Sequence, residues 1–170
     1  LLLFFLAAYL CVIPEFMKIM GRREFWIAKY ATIPVIAGCA FQFLYNLFVQ
    51  FELFNKKTGI IALGSVSAAV INLILNFIFI PKFGYMAAGY TTMASYFLLM
   101  IYHLGICKLF FNKSIFNVKT ILSFVFAIFV LVFSYLILYN FNIIFRYVFG
   151  VVALLVICLF NRNLMKSIIN

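Results

Sequence analysis

The chain has 170 residues, of which 69% are hydrophobic and 9% are charged, and its formal net charge is +10. A soluble globular domain carries about 45–50% apolar and about 25% charged residues, so this composition excludes a soluble fold with a polar surface and predicts an integral membrane protein. In a soluble protein the positive charge would suggest nucleic acid. In a membrane protein it indicates anionic lipid headgroups instead, and we expect no nucleic-acid partner.

Six apolar segments follow one another along the chain, separated by charged turns. Their approximate bounds are Leu1 to Pro14, Tyr30 to Phe51, Ile60 to Ile80, Ala87 to Leu104, Ile121 to Tyr139 and Ile143 to Phe160. A helix of about 20 residues rises about 30 Å, which matches the hydrocarbon thickness of a bilayer. The runs are continuous, whereas the strands of an outer-membrane barrel alternate apolar and polar residues. The sequence therefore predicts an all-α polytopic bundle of about six spans, the first of them truncated.

The first segment is too short to span and begins on Leu, with no basic residue ahead of it to act as the flank of a signal peptide. We therefore expect residues 1–170 to be a single membrane domain that forms the C-terminal fragment of a larger protein. The connection from Glu15 to Tyr30 mixes aromatic, aliphatic and basic residues. We expect it to lie in the membrane interface, with Trp26 and Tyr30 at headgroup depth.

The second segment carries an amide stripe, because Gln42, Asn46 and Gln50 fall at i, i+4 and i+8 on one helical face. An amide that faces lipid leaves its donors and acceptors unsatisfied, so this face must contact protein or water. Helix packing satisfies that requirement, and so does a hydrated cavity; three amides over two turns exceed what one packing contact needs. We predict these three residues as substrate-binding residues. Glu52, at the end of the segment, is expected to pair with Lys56 at i+4, with a role in ion coupling as the alternative.

Polar and small residues also mark the third and fourth segments. Ser65, Asn72 and Asn76 share one face of the third segment, and Ala88, Thr92 and Ser95 form a small-residue track on the fourth. We predict structural roles for Asn72, Asn76, Pro81 and Gly84. The two amides fix the neighbouring helix, while Pro81 and Gly84 end the third helix so that the next one returns closely.

Residues that carry enzyme chemistry are sparse. The chain contains no Asp, its three Glu are far apart, and no glycine-rich phosphate loop or nucleophile elbow occurs. We expect no catalytic residue, no metal site and no cofactor, and hence no enzyme. The single histidine, His103, is expected at headgroup depth with a local hydrogen bond, with a proton or ligand contact as the alternative. The four cysteines are expected to be small buried hydrophobic residues.

Membrane orientation does not follow from the basic residues. Six lie in the loops after the first, third and fifth segments, and seven lie after the second, fourth and sixth. An excess of Lys and Arg normally marks the cytoplasmic side, and six against seven is no excess.

The stretch "KKTGIIALGSVSAAVINLILNFIFIPKFGYMAAGYTTMASY", residues 56–96, resembles the C-terminal half of bacterial polysaccharide biosynthesis proteins. These are lipid-linked oligosaccharide flippases, O-antigen flippases among them, of the multidrug/oligosaccharidyl-lipid/polysaccharide exporter superfamily. Their basic "K-K-T" turn, "N-x-x-x-N" pair, "I-P-x-x-G" break and small-residue helix start occur here in the same order. "VIPEFMKIMGRREFWIAKY" resembles the preceding part of the family. The usual "G-A-A" is replaced by Met86-Ala87-Ala88, which relaxes the tightest helix contact.

The resemblance implies two helical lobes around a central cavity in the bacterial cytoplasmic (inner) membrane, with this chain forming most of the second lobe beside a missing N-terminal lobe. The substrate would be a polyprenyl-diphosphate-linked oligosaccharide, flipped by alternating access. The family arrangement would place "FNKKTG", "KLFFNKSIFNVK" and the tail in the cytoplasm.

Two other functions remain open. A cation-coupled multidrug exporter of the same superfamily would predict carboxylates in the cavity, and none is expected deep in these spans. A non-transporting membrane assembly subunit or a polymerase would predict long periplasmic loops, whereas the loops here are short.

Overall fold

The computed structural model describes residues 2–111 and 117–169, with side chains for residues 2–110 and 117–159. Six α-helices and one 3-10 helix occur in these residues, without a strand. The helices are α1 (Leu2–Met20), α2 (Lys29–Phe54), α3 (Thr58–Phe83), α4 (Met86–Phe111), α5 (Val118–Leu138) and α6 (Ile143–Ile169), and the 3-10 helix (Arg23–Ala28) joins α1 to α2. The prediction of an all-α polytopic bundle is confirmed.

Within the described residues, five helices, α1 to α5, are long and apolar enough to cross a membrane. In α6 the apolar stretch runs over Ile143–Leu159. The chain is thus a multi-pass membrane protein. The sequence-based end of the first segment at Pro14 was wrong, because α1 continues through Pro14 to Met20. A proline removes one hydrogen bond and bends a helix without having to end it, and the residues after it, rich in Met, Lys and Glu, favour helix.

Helix directions follow from the contacts between helices. The Phe41–Phe97 and Glu52–His103 contacts show that α2 and α4 run parallel. The Asn76–Thr91 and Ile60–Tyr102 contacts show that α3 runs antiparallel to α4. The Phe41–Phe129 and Lys29–Tyr139 contacts show that α5 runs antiparallel to α2. Contacts of α1 with Tyr135 and Tyr139 make it parallel to α5, and its contacts with Arg146 and Gly150 make it antiparallel to α6. Consecutive helices therefore alternate in direction. The α2–α3 turn, the end of α4 and the start of α5 lie at one end of the bundle, and the α1–α2, α3–α4 and α5–α6 connections lie at the opposite end.

The α2–α4 contact is the most extensive in the bundle, and glycines let the two backbones approach. A Cβ on Gly89 would lie 2.8 Å from the carbonyl oxygen of Ala31, and one on Gly38 would lie 3.3 Å from Cα of Met93. Small residues at a membrane helix interface replace the missing hydrophobic driving force with close van der Waals packing. This contact holds α4 in register beside α2 and positions the polar side chains described below.

The α3–α4 turn depends on Gly84. Its φ of 70° and ψ of −168° lie in a region that is open essentially to glycine alone, and its N–H donates to the carbonyl of Ile80 at 2.8 Å. The sequence assigned the end of α3 to Pro81 and Gly84 together. Only Gly84 ends the helix, since Pro81 lies inside its last turn, where the missing N–H costs a single hydrogen bond.

The connection between α1 and α2 is an ordered aromatic and basic segment. The indole N–H of Trp26 donates to the carbonyl of Gly21 at 3.3 Å, and Lys18 and Arg23 lie 5.9 and 5.8 Å from the indole ring. Phe25 and Ile27 are exposed beside it. A headgroup-depth position for this segment stays a prediction.

Candidate functional site

A polar cavity of about 260 Å³ lies where α2, α3 and α4 meet. Its lining consists of Tyr45 from α2, Ser65, Ala68, Ala69 and Asn72 from α3, and Thr92, Ser95, Tyr96 and Leu99 from α4. The α3 residues are spaced i, i+3, i+4 and i+7, and the α4 residues repeat that spacing, so each helix contributes one face. Alanine and serine on those faces leave room between the helices, and the polar side chains furnish hydrogen-bonding groups.

Hydrogen bonds at one edge of the cavity tie α3 to α4. The Asn76 side-chain amide donates to Oδ1 of Asn72 at 3.0 Å, and the Thr91 hydroxyl donates to Oδ1 of Asn76. Ser95 donates to the carbonyl of Thr91 at 2.8 Å. Asn72 therefore takes part in this hydrogen-bond network and also lines the cavity. The structural role predicted for the two asparagines stays a prediction.

Three aromatic rings stack in a column that leaves the cavity. The Tyr96 and Tyr45 rings lie 6.2 Å apart at an interplanar angle of 12°, and the Tyr45 and His103 rings lie 5.7 Å apart at 17°. Tyr45 and Tyr96 line the cavity, whereas His103 lies behind it. The column thus connects the cavity wall to the histidine.

His103 forms a buried pair with Glu52. Both residues are 0% exposed, and Nδ1 of His103 lies 2.9 Å from each carboxylate oxygen of Glu52. The sequence-based pairing of Glu52 with Lys56 was wrong, and so was the local hydrogen bond expected for His103, whose partner is Glu52. The headgroup-depth position of His103 stays a prediction. Local spacing favours an i+4 partner, but parallel packing of α2 and α4 brings together residues 51 apart in sequence.

A signal for this pair was present in the sequence. Ionisable residues inside spans are rare and almost always find a partner in the bundle interior. Glu52 lies at the end of the second apolar segment, and His103 lies near the end of the fourth. Because successive spans alternate in direction, these two segments are expected to run parallel. A search for an acid and a base on different spans would have predicted this contact. The i+4 rule considers only residues of one helix and therefore missed it.

Further side chains enclose the pair. The Cys107 thiol lies 3.8 Å from Oε1 of Glu52, and the Tyr102 ring meets the imidazole edge to face at 5.2 Å. Tyr102 also donates to the carbonyl of Ile60 at 3.1 Å, which brings the start of α3 against this site. A Cβ on Gly64 would lie 3.2 Å from Nε2 of His103. Nε2 itself is buried and has no hydrogen-bond partner.

A separate apolar groove of about 470 Å³ lies between the end of α3 and the start of α4. Its lining residues are Leu75, Phe79, Phe83, Met86, Ala87, Tyr90, Thr91 and Ala94. The α4 residues Ala87, Tyr90 and Ala94 of the groove lie on the opposite face of α4 from Thr92 and Ser95 of the cavity. The polar cavity and the apolar groove are therefore two separate sites.

The predicted amide stripe lies on another surface. Gln42 is half-buried, and Asn46 and Gln50 are exposed. None of the three lines the polar cavity, although Gln42 lies within hydrogen-bonding reach of Tyr45. Substrate binding by this stripe stays a prediction. Tyr45 lies between Gln42 and Asn46 in the chain. The sequence did not identify it as a site residue, because tyrosine in a span is usually an interface residue.

A second ion pair joins α1 to α6 at the opposite end of the bundle. Arg146 contacts Glu15, and both Arg146 and Lys29 lie within 6 Å of the Tyr139 ring, at 5.9 and 5.8 Å. Tyr139 donates to the carbonyl of Leu10 at 2.6 Å, and burial raises the pKa of its phenol well above the usual range. The phenol therefore stays a hydrogen-bond donor that links α1 to the α5–α6 turn.

The cysteines divide into two kinds. Cys11 and Cys107 are buried, as expected, whereas Cys39 and Cys158 are exposed, contrary to expectation. A small apolar thiol is compatible with a lipid-facing position, so apolar sequence context alone does not distinguish the two. Within the described residues, no group of three or more His, Cys, Asp and Glu side chains is placed to hold a metal ion.

The chain was compared with protein-family models, curated proteins and solved structures. No family model, no curated protein and no solved structure matches the chain.

Proposed function

We propose that the chain belongs to a transporter that flips a polyprenyl-diphosphate-linked oligosaccharide across a membrane, and that the polar cavity where α2, α3 and α4 meet holds the sugar head of this substrate. The observation that carries this function is the cavity where α2, α3 and α4 meet, whose lining combines hydrogen-bonding and aromatic side chains without a charged one. A separate apolar groove lies between α3 and α4. A lipid-linked sugar has a hydroxyl-rich head and a hydrocarbon tail.

The polar cavity suits a sugar headgroup. Serine, threonine, tyrosine and asparagine side chains each donate and accept hydrogen bonds, as sugar hydroxyls do. The stacked Tyr45 and Tyr96 rings add apolar faces against which a pyranose ring can pack. The lining contains no charged side chain, which favours a neutral head over a cationic drug.

The apolar groove suits the hydrocarbon tail. Phenylalanine, leucine and methionine dominate its lining, and Tyr90 and Phe83 are exposed. In alternating access the head crosses inside the protein while the tail stays in contact with lipid. Diphosphate would be held by Lys or Arg, and the basic residues at both ends of the bundle supply them. In this function the chain forms one lobe of a two-lobed transporter in the bacterial cytoplasmic membrane.

A second candidate is the cation-coupled multidrug exporter, which the buried Glu52 favours. The sequence counted against this function because no carboxylate was expected deep in a span. Glu52 is fully buried, but His103 occupies both of its carboxylate oxygens and neither residue lines the cavity. A carboxylate whose two oxygens both contact a histidine, away from the cavity lining, is a poor site for a cationic drug.

Transport by the full-length protein in proteoliposomes tests the two functions against each other. The probe is a fluorescent polyprenyl-diphosphate oligosaccharide, with a cationic dye as the competing substrate. Changing Ser65→Ala together with Thr92→Val removes two hydrogen-bonding groups worth about 1 kcal/mol each, and we expect sugar flipping to fall by about 5- to 30-fold.

The matched variant changes Gln42, Asn46 and Gln50 to Leu. Loss of flipping in this variant, with the protein still inserted, assigns the headgroup path to the amide stripe as the sequence predicted. Unchanged flipping leaves the cavity as the path. Wild-type protein that moves the dye and leaves the sugar in place replaces the flippase with the exporter.

A further inference from the structure

We infer that Glu52 and His103 form a proton-binding site, and that proton exchange at this site is coupled to occupancy of the polar cavity; the coupling rests on the proposed transport function. The pair joins the two most closely packed helices of the bundle, lies behind the cavity wall, and contains the one histidine of the chain.

Proton binding follows from the geometry of the pair. Nδ1 lies 2.9 Å from both carboxylate oxygens, so one proton held between ring and carboxylate leaves the pair neutral overall. Losing that proton leaves a buried negative charge, and gaining a second one leaves a buried positive charge. Both changes are costly where the groups are dry, because a buried charge without a partner keeps its full desolvation penalty. Both become easy when water reaches the site. Exchange therefore follows hydration of the pair.

The side chains that the structure describes around the Glu52–His103 pair include no further charged group that could balance a change in its charge. From α2 the pair faces Tyr45, and from α4 it faces Tyr102 and the Cys107 thiol. From α3 it faces Gly64 and the Tyr102-bound carbonyl of Ile60. The lysines at this end, among described side chains, are exposed: Lys56, Lys57, Lys108 and Lys119. No other described charged side chain contacts the pair, so a proton is the species that can change its charge.

Two contacts connect the pair to the cavity. Tyr45 lines the cavity, and its ring stacks on the His103 ring at 5.7 Å. On α3, Ser65 lines the cavity while its neighbour Gly64 covers Nε2 of His103. A movement of α3 that widens the cavity therefore also uncovers Nε2, a buried nitrogen without a partner. Entry of a headgroup and access of water to the imidazole become one event.

The exchange step moves one proton and changes no bond other than the bonds to that proton. Hydronium on one side of the membrane gives a proton to the pair, so its O–H bond breaks and an N–H or O–H bond forms on the pair. That new bond breaks when the pair opens to the other side, where a water molecule takes the proton. A proton gradient supplies the free energy for moving the substrate, since each conformation exchanges protons with a different compartment.

The single histidine makes proton binding directly measurable. The full-length protein is labelled with ¹⁵N-histidine, purified with an affinity tag free of histidine, and placed in lipid nanodiscs. Imidazole nitrogen shifts between about pH 5 and about pH 9 then report the charge of the histidines; any additional signal is assigned by its loss in His103→Gln. In Glu52→Gln we expect the ratio of charged to neutral His103 to fall by about tenfold or more at a given pH, because the balancing carboxylate is gone.

The control is Glu24→Gln, which changes an exposed carboxylate and should leave the spectra as in the wild type. Equal charged fractions of His103 in the wild type and in Glu52→Gln would overturn the proton site. A His103 charge that stays constant in the wild type over the whole range would overturn it as well, without relying on any variant.

Coupling is measured in proteoliposomes with the fluorescent lipid-linked oligosaccharide and an imposed pH gradient. We expect the gradient to change the wild-type flipping rate by about fivefold or more, and Glu52→Gln and His103→Gln to lose this response. Flipping by the wild type with no response to the gradient overturns the coupling and keeps the proposed function. A wild type that does not flip the probe overturns the proposed function, while the histidine spectra still decide the proton site.

Discussion

At the scale of single residues, Glu52 and His103 illustrate how a membrane interior forces polar groups together. Each alone would be a charge without solvent, and both are fully buried. Breaking a buried pair by removing one partner typically costs about 3–5 kcal/mol, whereas replacing both partners with apolar residues is often nearly neutral. The pair is therefore a place where two single changes should cost more than the double change.

We expect Glu52→Leu and His103→Leu each to lower the free energy of unfolding by about 3–5 kcal/mol, and the double variant to lose clearly less than the sum. Unfolding in mixed micelles, followed by circular dichroism, measures all three. Glu24→Leu, at an exposed position, serves as the control and should change stability by less than about 0.5 kcal/mol. Additive losses would mean that the two side chains do not interact in the folded protein.

Asn76 is a second residue whose partners lie on two helices. Its amide donates to Asn72 and accepts from Thr91 of α4. One of these bonds lies within α3 and the other joins α3 to α4. Side-chain hydrogen bonds in membranes contribute about 0.6–2 kcal/mol each, so Asn76→Leu should reduce stability by about 1–3 kcal/mol. Thr91→Val removes the donor alone and should cost about half as much. The same unfolding assay checks both, and a Thr91→Val variant as unstable as Asn76→Leu would contradict this order.

At the scale of helices, the α2–α4 contact depends on glycine at position 89. A methyl group there would lie 2.8 Å from the carbonyl oxygen of Ala31. Because this oxygen belongs to the α2 backbone, the clash can be relieved only if one of the two helices moves. Overpacking of this kind typically costs about 1–3 kcal/mol. Because Tyr45 and His103 are aligned by the same contact, separation of the two helices should also disturb the cavity wall.

We therefore expect Gly89→Ala to lower stability by about 1–3 kcal/mol and to reduce substrate flipping. Gly105→Ala is the matched control on the same helix, because a Cβ at Gly105 meets nothing within 4 Å. Alanine favours helix over glycine by about 1 kcal/mol, so the control should be neutral or stabilising. Equal effects of the two substitutions would show that α4 does not approach α2 as closely as the fold indicates.

At the scale of the whole molecule, alternating helix directions determine which connections share a side of the membrane. Cysteines introduced at exposed positions Arg22 and Tyr85 should react with a membrane-impermeant maleimide from one side, and a cysteine at exposed Lys57 from the other. Basic residues alone divide six against seven and leave this undecided. Labelling in intact cells and in inverted vesicles, with the unsubstituted chain as background, measures it. Reaction of positions 57 and 85 from the same side would contradict the topology.

The sequence by itself determined the helical membrane class, the number of apolar segments and most of their positions. Long continuous apolar runs leave a bilayer-spanning helix as the structure that satisfies its own backbone. Periodicity also identified the α3 face that carries Ser65 and Asn72, because residues seven apart share a face whatever lies opposite. Those inferences need only the geometry of one helix.

Only the tertiary structure decided which faces meet. The Glu52–His103 pair, the Tyr96–Tyr45–His103 column and the cavity each combine residues from different helices. Their contacts depend on the direction and rotation of α2 and α4, which close packing at Gly38 and Gly89 sets. In lipid an apolar surface carries no preference for another helix over the bilayer. Hydropathy therefore places a helix in the membrane without choosing its neighbour, and shape and hydrogen bonding make that choice.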